Sequence, residues 1–335
     1  VLTTAVLDDF DACPGSATTH TTLGAYVHDL EGIPDAMTTD QQPFAAAAVL
    51  DDFDARPGSA TSLTRTVLGA YVRDLGGWIA VADFTELLAV LGIAAPSTRT
   101  AITRLKRKGV LYAESRSGRA GYGMTDAALA MFARGDRRIF GFRQMTSGDA
   151  WRLLSYGIPE SERAARHQLR RRLSAIGCGT VSAGLWICPE HLAAEAAAIV
   201  TALDLDNYVT SFRATDPTVP GTLREAAAQW WDLDDLAAEH RTFYEKHRGI
   251  LDLDTSDRNA FAHFTLMLDE WRIIPYIDPG LPDDMLPADW PGPASVHLFA
   301  EARRRYLPPS RQWVRAFIDA RRVEETIRSA LEFER

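Results

Sequence analysis

Apolar and polar positions change rhythm three times along the chain. From Ser62, "SLTRTVLGAYVRDLGG" puts Leu63, Val67, Ala70, Tyr71 and Leu75 at helical spacing, and Gly76-Gly77 ends the run. "WIAVADFTELLAVLGI" predicts a short extended piece and a second helix carrying Phe84, Leu87, Leu88 and Leu91. "STRTAITRLKRKG", residues 97–109, predicts a third helix, capped by Ser97 and ended by Gly109. "VLYAESRSGRAGYGMT" predicts a strand, a Gly-rich turn around Arg116–Gly121 and a return strand. Three helices followed by a hairpin is the order of a winged helix-turn-helix.

Residues 151–215 alternate differently. "WRLLSYGI" predicts a strand. "PESERAARHQLRRRLSAIG" predicts an amphipathic helix with Pro at its start and Leu169, Leu173 and Ile176 inward. "TVSAGLWICP" predicts two short strands joined at Ala183-Gly184, "EHLAAEAAAIVTAL" a helix and "NYVTSFRAT" a last strand. This βαββαβ order predicts a ferredoxin-like sandwich. "DPTVPG", 216–221, is a linker. Helices are expected at 222–248, 257–274, 294–307 and 309–333, interrupted by the Pro-rich loop "YIDPGLPDDMLPADWPGP". The fold class is therefore α+β. A DNA-binding domain is expected at 48–135, a central domain at 150–215 and a helical C-terminal domain at 222–335.

Ahead of these lies a partial duplication. "AVLDDFDACPGSAT" at 5–18 recurs as "AVLDDFDARPGSAT" at 48–61, and "LGAYVHDLEG" at 23–32 is echoed by "LGAYVRDLGG" at 68–77. Two copies do not make a solenoid, which needs at least three. Residues 1–47 read as a leader of low functional weight.

Composition narrows the class. The 335 residues are 46% hydrophobic, enough for a sizeable core. No uninterrupted apolar run reaches the roughly 18 residues of a membrane span. The first residues lack the basic and apolar regions of a signal peptide. Cys13, Cys178 and Cys188 form no CxxC pair, so neither a zinc site nor a disulfide framework is expected. These readings point to a reduced, cytoplasmic protein with no metal and no resident cofactor. With 45 acidic and 36 Lys or Arg residues the net charge is −9, which argues against a general polyanion binder but permits one basic face.

That face lies on the third predicted helix. At about 100° per residue, Thr98, Ala101, Ile102 and Leu105 fall together as the buried side. Thr100, Thr103 and Arg107 point away, with Arg99, Arg104, Lys106 and Lys108 on the flanks. Packing requires only the first set. Between Pro96 and Arg119 there are seven Lys or Arg residues and one acidic residue, Glu114. Such a stripe neutralises phosphates and releases counterions, while short polar side chains can meet base edges. Ser97, Arg99, Thr100, Thr103, Arg104, Lys106 and Arg107 are therefore the candidate DNA contacts. Arg116 and Arg119 join them from the hairpin, against flanking phosphates or the minor groove. The bland alternative is a solvated basic face.

From about Ser62 to Leu331 the chain resembles the PaaX family, bacterial repressors of phenylacetate catabolism. "STRTAITRLKRKGVL" looks like its recognition helix, and "WRLLSYGIPESERAARHQLRRRLSAIGCGTVSAGLWICP" like its central domain. "WWDLDDLAAEHRTFYEKH" and "DEWRIIPYIDPGLPDDMLPADWPG" look like its C-terminal region. The resemblance implies a GntR-like winged-helix repressor, not an enzyme. It would bind a palindromic operator as a homodimer and be released by an aryl acyl-CoA such as phenylacetyl-CoA. An effector-independent DNA-binding protein and a nucleic-acid-acting enzyme are the alternatives.

If coenzyme A is bound, its phosphates need cations. Arg163, Arg166, Arg170, Arg171 and Arg172 crowd one helix, either as a solvated face or as phosphate anchors, with Arg166 and Arg170 the candidates. Trp230, Trp231, Trp271 and Trp290 read first as core anchors, although Trp271 could wall an aromatic ring, with Arg272 beside it for the ligand's polar groups. The central domain is also similar to a small CRISPR-associated nuclease with a ferredoxin-like fold. The stretch that holds the metal carboxylate there is "LLSYGIP" here, with Ser155 and Tyr156, so a structural role is expected. "DLDTSDRNAFAH", 252–263, has calcium-like Asp252, Asp254 and Ser256. Asp257 replaces the turn Gly and His263 the bidentate Glu, so a capped helix start is expected. His240 and His247 share a helix with no third ligand nearby in sequence.

Overall fold

In the computed structural model, residues 56–254 and 256–333 are described; the leader at 1–47 lies outside them. Ser59 caps the first helix by accepting from the Ser62 backbone N–H at 3.3 Å. Helix α1, Ala60–Val67, continues through a π-turn at Leu68–Val72 and a 3-10 turn at Arg73–Leu75. It stops at Gly76 and Gly77, whose positive φ values of 90° and 68° suit glycine. Strand β1 (Trp78–Ala80) and helix α2 (Val81–Val90) follow, with Phe84, Leu87 and Leu88 buried.

Helix α3 spans Ala95–Arg107. Its cap is Ala94, not Ser97, which corrects the sequence reading. Pro96 in the first turn has its φ preset for a helix and no N–H to satisfy, so the helix begins ahead of Ser97. Strands β2 (Leu111–Arg116) and β3 (Arg119–Met124) form the hairpin, and the sheet order is β1-β3-β2. Arg116 pairs with Arg119 across a two-residue turn. Its residues Ser117 and Gly118 both have positive φ, the conformation that matches strand twist. Helix α4, Asp126–Ile139, is capped by Thr125 and leads out of this region.

The central elements appear in the expected order: β4 (Trp151–Tyr156), α5 (Arg163–Ala175), β5 (Gly179–Ser182), β6 (Leu185–Pro189), α6 (Ala193–Ala202) and β7 (Val209–Ala214). The sheet order is β5-β6-β4-β7, with every neighbouring pair antiparallel. Leu154, Leu169, Leu173, Ile176, Trp186 and Ile199 share its core.

Two helix expectations in the C-terminal third are corrected. The predicted helix 222–248 is two helices, α7 (Leu223–Trp230) and α8 (Leu233–His247). The break falls where Asp232 caps α8, accepting from Asp235 N at 3.0 Å, and Trp231 turns inward. After α9 (Asp257–Trp271) and the short α10 (Ile274–Ile277), the predicted helices 294–307 and 309–333 are one, α11 (Gly292–Phe333), with Pro308 and Pro309 inside it. Proline removes an N–H donor from a helix. Here Tyr306, Leu307, Val314 and Ile318 are buried on either side of the two prolines, and the Ser310 hydroxyl donates to Tyr306 O. The core of α1–α3 is continuous with that of α9 and α11: Leu63, Val67 and Tyr71 belong to the same cluster as Phe261, Phe264, Trp271 and Phe299. Among the described residues no single helix is long and apolar enough to cross a membrane.

Candidate nucleic-acid interface

Helix α3 has two chemically distinct sides. Thr98, Ala101, Ile102 and Leu105 are buried, as their spacing requires. Ser97, Arg99, Thr100, Thr103, Arg104, Lys106, Arg107 and Lys108 are all exposed. Arg104, Lys106 and Arg107 lie in the last turn, where the helix dipole favours cations. The Thr100 and Thr103 hydroxyls donate to Pro96 O and Arg99 O at 3.1 and 2.9 Å. Their protons point back to the helix, leaving acceptor lone pairs and methyl groups outward. The Lys106 ammonium lies 5.9 Å from the Tyr122 ring centre on β3.

The hairpin arginines are differently placed. Arg119 turns inward to Asp83 Oδ1 at 2.8 Å, and its side chain is only 13% exposed. It braces β3 against α2 and is not among the exposed cations. Arg116 is exposed, but it bonds Glu114 at 2.9 Å and lies 5.5 Å over the Trp78 ring. That bond holds the Glu114 carboxyl below its ordinary range. The concentrated positive field therefore belongs to α3, with Arg116 beside it.

The four candidate ligand residues occupy different settings. Arg166 pairs with Glu160 at 2.7 Å, and Arg170 is exposed on α5. Trp271 is a core residue: it stacks on Phe299 at 4.6 Å, and its indole N–H donates to Ile139 O at 2.9 Å. Arg272 is buried, reaching Asp269 Oδ1 at 3.3 Å and the Ser62 hydroxyl at 2.7 Å. Trp231 is also a core anchor, donating to Gly177 O at 2.9 Å. Asp254 accepts from the Ser256 hydroxyl, from Ser256 N and from Asn259 Nδ2 ahead of α9, which pushes its carboxyl down to about 2. The N-cap residue Ser256 makes no side-chain bond to the first turn of α9, so the capped helix start expected there is corrected to an Asp254 turn ahead of the helix.

One constellation escaped the sequence reading because its members lie 38 and 55 positions apart. His240 Nδ1 meets the Ser295 hydroxyl at 2.5 Å, and Nε2 meets Asp278 Oδ2 at 2.9 Å. Serine, histidine and aspartate are the residue types of a hydrolytic triad, but the ring is reversed relative to that arrangement. All three are buried, and Asp278 Oδ1 accepts from Gly280 N at 2.8 Å. The set clasps the Pro-rich loop to α8 and α11.

Three family models match successive stretches. "PaaX-like protein" covers residues 59–128, "PaaX protein central Cas2-like domain" 144–227 and "PaaX-like protein C-terminal domain" 231–316. The transcriptional repressor PaaX of Escherichia coli (strain K12) is 26% identical over 262 residues, covering 76% of this chain and 82% of that protein. A solved structure, the uncharacterized protein Rv0674 from Mycobacterium tuberculosis, is 24% identical, with a TM-score of 0.48. That match covers 75% of this chain and 98% of the other.

Proposed function

Because the chain belongs to the PaaX family, we propose that it is a DNA-binding transcriptional repressor that lays α3 in the major groove of its operator. The observation that carries this reading is the one-sidedness of α3. Its inner residues pack, while its outer face offers five cations, Arg99, Arg104, Lys106, Arg107 and Lys108, around Thr100 and Thr103. The cations fit phosphates. The outward threonine lone pairs and methyls fit adenine or cytosine amino groups and the thymine methyl. The order α1, β1, α2, α3, β2, β3 supports a GntR-like winged helix, with Arg116 as the wing contact. The antiparallel order β5-β6-β4-β7 supports a ferredoxin-like central domain.

The name of the Escherichia coli relative supports a repressor role here, and we assign it to a phenylacetate-type catabolic operon. An aryl acyl-CoA such as phenylacetyl-CoA would release a homodimer from DNA. Exposed Arg163, Arg170 and Arg171 on α5 suit the phosphates of coenzyme A. An electrophoretic shift on the gene's own promoter, with and without phenylacetyl-CoA, tests the reading. A shift reversed by the thioester supports it. A shift unaffected by thioester leaves an effector-independent DNA binder, and no shift at low salt removes α3 from any DNA interface.

A further inference from the structure

Cys178 and Cys188 form no local motif, but the central sheet sets them face to face. Gly179 on β5 is the Cα partner of Ile187 on β6 in an antiparallel ladder, so one step further along both strands Cys178 stands opposite Cys188. Side-chain alternation assigns the faces. A Cβ at Gly179 would point into the Trp231 ring, and Ile187 packs in the same core as Trp231. Cys178 and Cys188 therefore share the opposite face, where both are buried in the core that holds Leu169, Leu173 and Trp186. The two thiols hydrogen-bond each other, and neither is in a disulfide. Burial, and then the Cys188 thiol, push the Cys178 thiol well above its ordinary range. Since the thiolate is the reacting form, the pair stays reduced until an oxidant persists.

Directly opposed residues of an antiparallel pair have Cα atoms about 4.5–5.5 Å apart, inside the range of about 4.4–6.8 Å that a disulfide spans. We propose that Cys178 and Cys188 are an oxidisable dithiol, which hydrogen peroxide converts within one chain to a disulfide tying the start of β5 to β6. One sulfur attacks a peroxide oxygen, the O–O bond breaks, water leaves and a sulfenic acid forms. The second sulfur attacks the first, the S–O bond breaks, a second water leaves and the S–S bond forms. Two thiols thus lose two electrons and two protons, and one peroxide is reduced to two waters. Strand β5 is at the edge of the sheet, is only 4 residues long, and its ladder loses register between Thr180 and Ser182. Local opening at this edge admits peroxide while the rest of the core stays packed. The bond fixes the turn ahead of β5, where the Ile176 carbonyl accepts from Arg138 of α4 at 3.1 Å and the Gly177 carbonyl from the Trp231 indole at 2.9 Å. Oxidation therefore stiffens the joint between the central sheet, α4 and the Trp231 segment.

The test uses the full chain with Cys13→Ser, which leaves Cys178 and Cys188 as its two thiols. The folded protein is treated with hydrogen peroxide, unfolded in the presence of iodoacetamide and digested with trypsin without reduction. Both cysteines fall on one tryptic peptide, residues 173–213. After peroxide that peptide carries no alkyl group and is lighter than the dithiol form by two hydrogens. A dithiol reductant added before alkylation restores two alkylation sites. The oxidised chain melts several degrees above the reduced one, and reduction returns the transition to its starting point. Cys188→Ala in the same background shows neither the mass loss nor the rise, and if that variant does not fold, the peptide map of the Cys13→Ser chain decides alone. The assignment is overturned if both cysteines are still alkylated after peroxide, if each is oxidised separately to a sulfinic or sulfonic acid, or if the disulfide that forms joins two chains. A disulfide that leaves the melting transition unchanged or lowers it overturns the stiffening of the joint.

Discussion

The Ser62 hydroxyl donates to Asp269 Oδ1 across 2.5 Å, although 207 positions separate the two residues. The same oxygen accepts from Thr66 and Arg272, so one carboxylate on α9 holds both α1 and a buried guanidinium. Asp269→Ala should destabilise the protein by about 3–5 kcal/mol, because it removes the carboxylate that the buried Arg272 guanidinium and the Ser62 and Thr66 hydroxyls all bond. Urea unfolding measures it. A loss below about 1 kcal/mol would mean that water or another group takes over the carboxylate's role.

Ile102 and Thr103 are adjacent on α3 but face opposite ways. Ile102 is 3% exposed, in the core shared with α1 and α9, whereas Thr103 is exposed. Ile102→Ala should cost about 2–5 kcal/mol, the range for deleting buried methyl groups. Thr103→Ala should stay within roughly 0.5 kcal/mol, as surface changes do. A melting scan in which Thr103→Ala is the more damaging would reverse the helix phase on which the proposed interface rests.

What was legible in the sequence was local. The four inward positions of α3 recur at helical spacing, so its phase follows from the pattern alone. The β5 and β6 boundaries follow from the alternation of "TVSAGLWICP" on either side of Ala183-Gly184. What was not legible depends on distant partners. Ser62, Arg65 and Thr66 are polar residues with nothing in their own segment to mark them as interior, yet all three are buried, and Ser62 and Thr66 bond Asp269 on α9. Pro308-Pro309 reads locally as a helix boundary, but burial of the flanking residues carries α11 through it. Arg119 counts as a wing cation until α2 brings Asp83 beside it. The Ser295–His240–Asp278 clasp has no local signature at all.

The exposed cations of α3 give an electrostatic prediction. Arg99→Ala, Arg104→Ala and Arg107→Ala should each weaken operator binding while leaving the melting transition in place, since none of these side chains is buried. For every phosphate that a variant no longer neutralises, the slope of log K against log salt should become shallower by about 0.9. Fluorescence anisotropy over a salt series reads this directly. Three unchanged slopes would assign the basic face to solvent.

His191 makes stability depend on pH in a direction that can be worked out. It follows β6, partly buried, and burial first, then Arg138 and Arg143, push its imidazole from 6.5 down to about 4. The folded value is thus below the unfolded one. As pH falls below about 6.5, the unfolded chain takes up a proton that the folded chain refuses. The stabilisation is complete above that point and is lost progressively as pH falls through the folded value of about 4. Replacing the imidazole by a neutral group removes this contribution and leaves the carboxylates that titrate in the same window. His191→Gln should therefore lose less melting temperature than the parent between about pH 7 and pH 4.5, with the two curves diverging below about pH 6.5. Parallel curves across that window would mean that His191 is as accessible to protons in the folded chain as in the unfolded one.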